Sequence, residues 1–364
     1  MKKFVGIALA ALVAFSACTK VEREPVPAGK ISFTVGNYAL TKADPDTNSL
    51  RTISDNFNSR AFMYGAGVSG VQHFFGTGAG EVIGYDSTEN CWTPGIVSGK
   101  EYYWPFSPQS YINFVCWYDK NGSPSVHADS LSETQLHWLN RTIVADDEIL
   151  VADEAWRFNR NKNARFAYEA NAGVPVLFHH ALAQISFRAK IKDGCETSTS
   201  GNTRWGVSLL NVKLSDVYST GTLNLTNADP NTAETIVPWS GGWTDHADSD
   251  TLYIAGLTPI TLHTSSIDTL LAPSTVLPQS VTNDMMLSFT YRISTYHGNS
   301  ETPASVEYIN FSASLLSLTP YITAWGMGQR IVYTIQIDPS TDTIIFNPSL
   351  EDWVAGEGGG VTLE

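Results

Sequence analysis

Four groups of residues have types and spacings that could carry chemistry. GAGVSG at 65–70 matches G-x-G-x-x-G and follows the apolar run Ala61-Phe62-Met63-Tyr64. A dinucleotide site needs a helix next, so that its N-terminus can hold the pyrophosphate. Here VQHFFGTGAG follows, and Gly76, Gly78 and Gly80 oppose a helix, which leaves turn glycines as the reading. Asp44, Asp46, Asn48 and Asp55 stand at positions 1, 3, 5 and 12 of an EF-hand spacing, but Ser49 replaces the turn glycine and no helix flanks the segment. Asp245, His246, Asp248 and Asp250 read as a solvated acidic turn. His179 and His180 are adjacent, so in an extended chain they face opposite sides and cannot share an ion; one packed and one exposed histidine is expected. G-x-S-x-G, H-E-x-x-H and Walker patterns are absent. The expectation is a chain that is not an enzyme, with no catalytic residue, cofactor or metal.

The aromatic residues have two readings. Trp104 and Trp117 lie in apolar surroundings and read as core. Trp138, Trp156, Trp239 and Trp243 sit in more polar segments, where packing is the ordinary reading and a sugar-stacking platform the alternative. Beyond Cys18 there are three cysteines, Cys91, Cys116 and Cys195. They read first as small buried hydrophobes, with a Cys91–Cys116 bridge as the other outcome.

The N-terminus carries a different signal. Lys2 and Lys3 precede an apolar stretch from Phe4 to Phe15, then Ser16-Ala17 and Cys18. Charge, length and small residues describe a signal peptide over 1–17, and its end before Cys18 resembles a bacterial lipobox. Acylation at Cys18 would anchor the mature chain to a membrane without spanning it. Residues 18–30 then form a polar tether.

These features sit in a 364-residue chain of net charge −14, with 43% hydrophobic, 11% aromatic and 16% charged residues. About 25% charged residues is ordinary, so the surface is built from something else, namely 35 Ser and 35 Thr. That is the composition of a hydroxyl-rich β protein. The acidic balance argues against nucleic acid, and no stretch approaches the ~18 apolar residues of a membrane-spanning helix.

Period-two alternation supplies the elements. It runs through 184–192, 285–294 and 331–338, each with one apolar and one polar face. Further strands are expected at 31–35, 61–64, 82–85, 101–104, 111–118, 148–152, 174–178, 207–215, 221–225, 251–255, 275–277, 307–315 and 342–346. Polar, turn-rich clusters such as 120–124, 193–202, 227–232 and 240–250 separate them. The best helical candidates, 131–141 and 154–170, are short or broken. The fold class is therefore all-β, with two antiparallel β-sandwich domains at 31–170 and 171–364.

The order of segments resembles the fimbrillin (Mfa-like) family of surface lipoproteins from anaerobic Gram-negative bacteria, which includes type V pilus subunits. The residues that carry it are Cys18, ISFTVGNYALTKA at 31–43, EYYWPFSPQSYINFVCWY at 101–118, EILVA at 148–152 and VPVLFHHALAQISFRAKI at 174–191. They continue with GTLNL at 221–225, VLPQ at 276–279, GQRIVYTIQID at 328–338 and IIFNPSLEDW at 344–353. The resemblance implies two tandem transthyretin-like sandwiches and a structural or adhesive pilus subunit, lipid-anchored on the outer-membrane surface or assembled into a fimbrium. Its partners would be other fimbrillin subunits, or a host or bacterial surface ligand. It also implies proteolytic removal of the first strand, here Ile31, Phe33 and Val35, followed by donor-strand exchange. Arg51 is the favoured cleavage site, with Lys42 and Arg60 as the other basic residues of that region. The donor would be Thr343–Phe346 or Val361–Leu363. A monomeric surface lipoprotein that binds glycan or host ligand is the alternative.

Overall fold

The computed structural model describes residues 29–36, 50–51, 54–65, 70, 72–76, 79–107, 109–122, 135–144, 146–159, 173–196, 203–227, 236–264, 269–271 and 273–351. The chain is all-β. Its first strands are β1 (Phe33–Val35), β2 (Asn56–Tyr64), β3 (Gln72–Phe75), β4 (Glu81–Asp86), β5 (Cys91–Pro94) and β6 (Tyr111–Asp119). Next come β7 (Gln135–Thr142), β8 (Ile149–Ala152), β9 (Glu154–Phe158), β10 (Val174–Val176) and β11 (Phe178–His180). The later strands begin with β12 (Ala183–Ile191), β13 (Thr203–Thr226), β14 (Ile236–Val237), β15 (Ser240–Tyr253), β16 (Ile260–Leu262), β17 (Thr269–Leu270) and β18 (Ser274–Val276). They end with β19 (Gln279–Ser280), β20 (Met286–His297), β21 (Ser305–Ser314), β22 (Ala324–Trp325), β23 (Arg330–Asp338) and β24 (Thr343–Glu351). One short helical turn, α1 (Leu315–Leu318), follows β21.

The first sheet runs β10-β1-β5-β4-β2-β6-β8-β11, with β3 on β2 and β9 joining β6 to β14. Inward residues of β1, β2, β5, β6 and β11 form its core, including Phe33, Phe57, Trp92, Phe114 and Phe178. Two further sheets, β17-β12-β23-β24 and β15-β13-β20-β21, enclose a second core. The alternation in 184–192, 285–294 and 331–338 maps onto β12, β20 and β23, whose apolar faces meet there. β10 and β11 follow the expected boundary at 170/171, yet they pair with β1 and β8 in the first sheet. In the other direction β7 leaves the first half and pairs with β13.

β13 is the element that sequence patterning divided. It is one strand of 24 residues where 207–215 and 221–225 were expected separately. At about 3.3 Å per residue it reaches roughly 75 Å. Its first half pairs with β20 and its second with β7 and β15. Register shifts against β15, between Leu214/Val217 and Thr220/Thr222, keep both halves seated. The segment 240–250, read as a turn-rich cluster, is most of β15. Asp245 and Asp248 take positive φ there (51° each), which an exposed edge strand accommodates. The helical candidates are corrected likewise: 135–142 and 154–158 are β7 and β9, because partner strands supply their backbone bonds. Residues 101–104 form no strand beyond a Lys30–Tyr103 bridge.

A third core lies between the other two. Phe62, Trp117 and Val151 of the first sheet meet Leu223, Leu225 and Trp243 of β13 and β15. Trp243 Nε1 donates to Ala181 O at 2.7 Å and Trp239 Nε1 to Ala152 O at 2.7 Å. Trp138 Nε1 donates to Asp119 Oδ2 at 2.9 Å, and Arg141 bridges Asp119 and Asp147, each at 2.9 Å. These bonds tie β7 to β6 and to the turn before β8.

Candidate functional site

β1 is three residues long, and every side chain expected to matter in it faces the first core. Ile31 and Phe33 are completely buried and Val35 nearly so. Phe33 meets Phe57 and Phe114 edge-on, with centroids 5.9 and 5.2 Å away. Such a ring contributes both area and aromatic contact. The backbone is held less evenly. β1 lies parallel to β10 over three residue pairs, Phe33–Val174, Thr34–Pro175 and Val35–Val176. On its other side it meets β5 at one pair, Phe33–Trp92. Ile31 N donates to Tyr102 O at 2.9 Å, and Val174 N to Ser32 O at 2.7 Å. β1 thus fills a slot between β10 and β5, its side chains deep and its pairing to β5 sparse.

The basic candidates separate by environment. Arg51 is exposed; its Nε lies 3.8 Å from Asp55 and its guanidinium 4.2 Å above the Tyr85 ring. Arg60 is instead buried within β2, 5.0 Å from the Trp117 ring, and burial lowers its pKa. A protease needs an accessible extended segment, so a site at Arg60 inside a paired strand conflicts with the structure. No local pattern marks this burial, because Arg60 sits on the polar phase of an otherwise mixed stretch. Lys42, Cys18 and the donor candidate Val361–Leu363 lie outside the described residues.

The other donor candidate, Thr343–Phe346, begins β24. Among the described residues this strand is a sheet edge, paired to β23 over nine residues. Phe346 stacks on Phe311 with centroids 5.6 Å apart, while Ile345 and Leu350 face outward.

The remaining candidates resolve into structure. His179 is exposed and contacts Asp153 at 3.2 Å, whereas His180 is buried and contacts Glu148 at 2.9 Å, on the opposite face. Trp138, Trp156 and Trp243 are buried and Trp239 is partly so, which removes the four-tryptophan platform. Cys91, Cys116 and Cys195 are all buried, and no Cys91–Cys116 bridge forms. Gly65 and Gly70 have positive φ, and the β3 strand follows where a nucleotide site requires a helix. Asp44, Asp46 and Asn48 lie outside the described residues, and among the described residues no group of three or more His, Cys, Asp or Glu could hold a metal.

No curated protein matches the chain. Among solved structures, a fimbrial protein from Bacteroides vulgatus shares the fold at a TM-score of 0.53 and 14% identity, covering 89% of this chain and 99% of its own. A protein with a proposed role in cell adhesion from Bacteroides uniformis is 17% identical with a TM-score of 0.44, covering 89% and 98%. The fimbrial anchor protein Mfa2 from Porphyromonas gingivalis is 9% identical with a TM-score of 0.30, covering 89% and 97%. A family model described as Fimbrillin-like matches residues 41–353, nearly the whole of the described fold, and the chain belongs to that family.

Proposed function

We propose that this chain is a fimbrial subunit, exported as a lipoprotein through Cys18 and joined to its neighbours by donor-strand exchange. Family membership makes it a structural, non-enzymatic protein of the cell surface or fimbrium. In this reading it comprises two transthyretin-like sandwiches, with β10 and β11 completing the first.

The observation that carries the proposal is the seating of β1. Removing it would open a slot lined by Phe57, Trp92, Phe114 and Val174, an apolar groove with unpaired backbone on both sides. Such a groove accepts an incoming strand through main-chain bonds, with alternate side chains filling pockets. Ile31 and Phe33 stand two residues apart, as Ile344 and Phe346 do. As an edge strand, β24 would leave by breaking its pairing with β23, the Phe346–Phe311 stack and the Arg188–Glu351 ion pair.

Limited trypsin digestion of the purified chain tests this. Cleavage after Lys42 or Arg51, release of the β1 segment and growth of an SDS-resistant ladder are expected, and the double variant Lys42→Ala/Arg51→Ala should stop both. A clipped chain that stays monomeric would refute strand exchange between copies of this subunit. Palmitate labelling of cells should be lost in Cys18→Ala; retained labelling would refute the anchor.

A further inference from the structure

Beside the third core, β13, β15, the end of β18 and the residues just after β7 line an open cleft of about 390 Å³. That volume lies within the usual range for small-ligand sites, which collect where structural units meet. Val217, Val276 and Leu277 are buried and make its floor apolar. The rim carries hydroxyls and one acid: Tyr218, Ser219, Asp250, Thr251 and Tyr253. Tyr253 is 70% exposed and Tyr218 37%, so both rings reach solvent at the rim.

Tyr218 is held in place from several directions. A register shift in β13 falls just before it, with Asp216 at φ 58°, so the bulge redirects the strand at this point. The buried Gln279 side chain accepts from Tyr218 N at 2.9 Å and donates to Tyr218 O at 3.0 Å, pairing with that peptide as a strand would. The Tyr218 ring lies 5.6 Å from the His246 ring, whose Nε2 is 2.9 Å from Pro278 O. Gln279 and Pro278 both belong to the VLPQ segment, so this segment acts as a positioning element for the rim.

We propose that this cleft binds a neutral pyranose unit of a glycan. The C–H face of a pyranose is apolar and suits a tyrosine ring over an aliphatic floor. Its hydroxyls match a rim of neutral donors and acceptors with a single carboxylate. Among the described residues no Lys or Arg lines the cleft and the chain carries net charge −14, so sialylated and sulfated sugars are disfavoured. The site uses no residue of β1 or β24 and stands whether or not the chain polymerises.

The test is a printed array of neutral, sialylated and sulfated glycans probed with the purified full chain. Methyl pyranosides matching the terminal sugars of the bound glycans are then titrated and followed by saturation-transfer NMR. Neutral glycans should bind. Tyr253→Ala should weaken binding at least tenfold, Tyr253→Phe by no more than about twofold, and Val144→Trp, which enlarges an exposed residue lining the cleft, should abolish it. Tyr308→Ala, an exposed tyrosine on β21, should leave binding unchanged. Gln279→Ala should weaken binding while the exposed-site variants keep the parent melting temperature; if Gln279→Ala does not fold, Tyr253→Ala and Val144→Trp decide the matter alone. Absence of neutral-glycan binding, preference for anionic glycans, or full binding by Tyr253→Ala and Val144→Trp would overturn the proposal.

Discussion

The thiol of Cys116 lies 3.3 Å from Ser59 Oγ, completely buried, and desolvation pushes its pKa up to about 12. A thiol of that kind is inert, because the thiolate is the reactive form. Iodoacetamide at pH 8 should therefore leave Cys116 unmodified in the native chain and label it fully in guanidinium, as read by peptide mass spectrometry. Asp338 shows the opposite balance. Burial would raise its pKa, but hydrogen bonds from Lys192, Ser340 and Thr341 outweigh that and hold the carboxyl far below the usual carboxylate range. The folded chain then takes up this proton less readily than the unfolded one. The resulting stability is present above the unfolded value near 3.9 and is lost as pH falls through the depressed folded value. The melting-temperature gap between the parent and Asp338→Asn should thus be widest near pH 7 and narrow toward pH 3. The sequence anticipated the opposed faces of His179 and His180 from strand geometry alone. It did not anticipate the partner of Asp338, since Lys192 is 146 residues away.

Among the elements, β1 is short in pairing and rich in burial. Phe33→Ala removes a fully buried ring at the centre of the first core and should cost about 3–5 kcal/mol. Urea denaturation measures this, and an effect near zero would mean that β1 is not seated as described. The alternating strands were legible because one face of each meets a core: β12, β20 and β23 follow their patterns almost residue for residue. β7, β9 and β15 were not legible. Their burial follows no clean period of two, and β15 is mostly exposed with polar residues at its bulges. Their strand character comes from β13, β6 and β14, which supply the hydrogen bonds that local propensity does not call for.

At the scale of the molecule, the third core joins strands of the first sheet to β7, β13 and β15. β13 runs through both its own core and the seam, and β7 crosses from one half to the other. The seam also buries charge: the Asp119 and Asp147 side chains are fully enclosed and face Arg141. Arg141→Met leaves two buried carboxylates without that cation, which should cost about 3–5 kcal/mol. Tryptophan fluorescence during denaturation reads it directly, because Trp138 shares Asp119 with Arg141. If the variant is as stable as the parent, the network is not what fastens β7.

By itself, the sequence determined the class of the molecule. Composition and period-two alternation pointed to an all-β chain with hydroxyl-rich outer faces, because burial of one strand face is a local property of spacing. The expected antiparallel order fails at β12–β23 and β1–β10, which pair in parallel. The order of motifs pointed to the fimbrillin family, and the family match over 41–353 agrees. Only the tertiary structure decided which strands meet. It placed β10 and β11 in the first sheet, drew β7 into the last, enclosed Arg60, and packed the tryptophans into the seam while leaving Tyr218 and Tyr253 at a cleft. Those outcomes depend on pairing between residues far apart in the chain, where no local period records the partner.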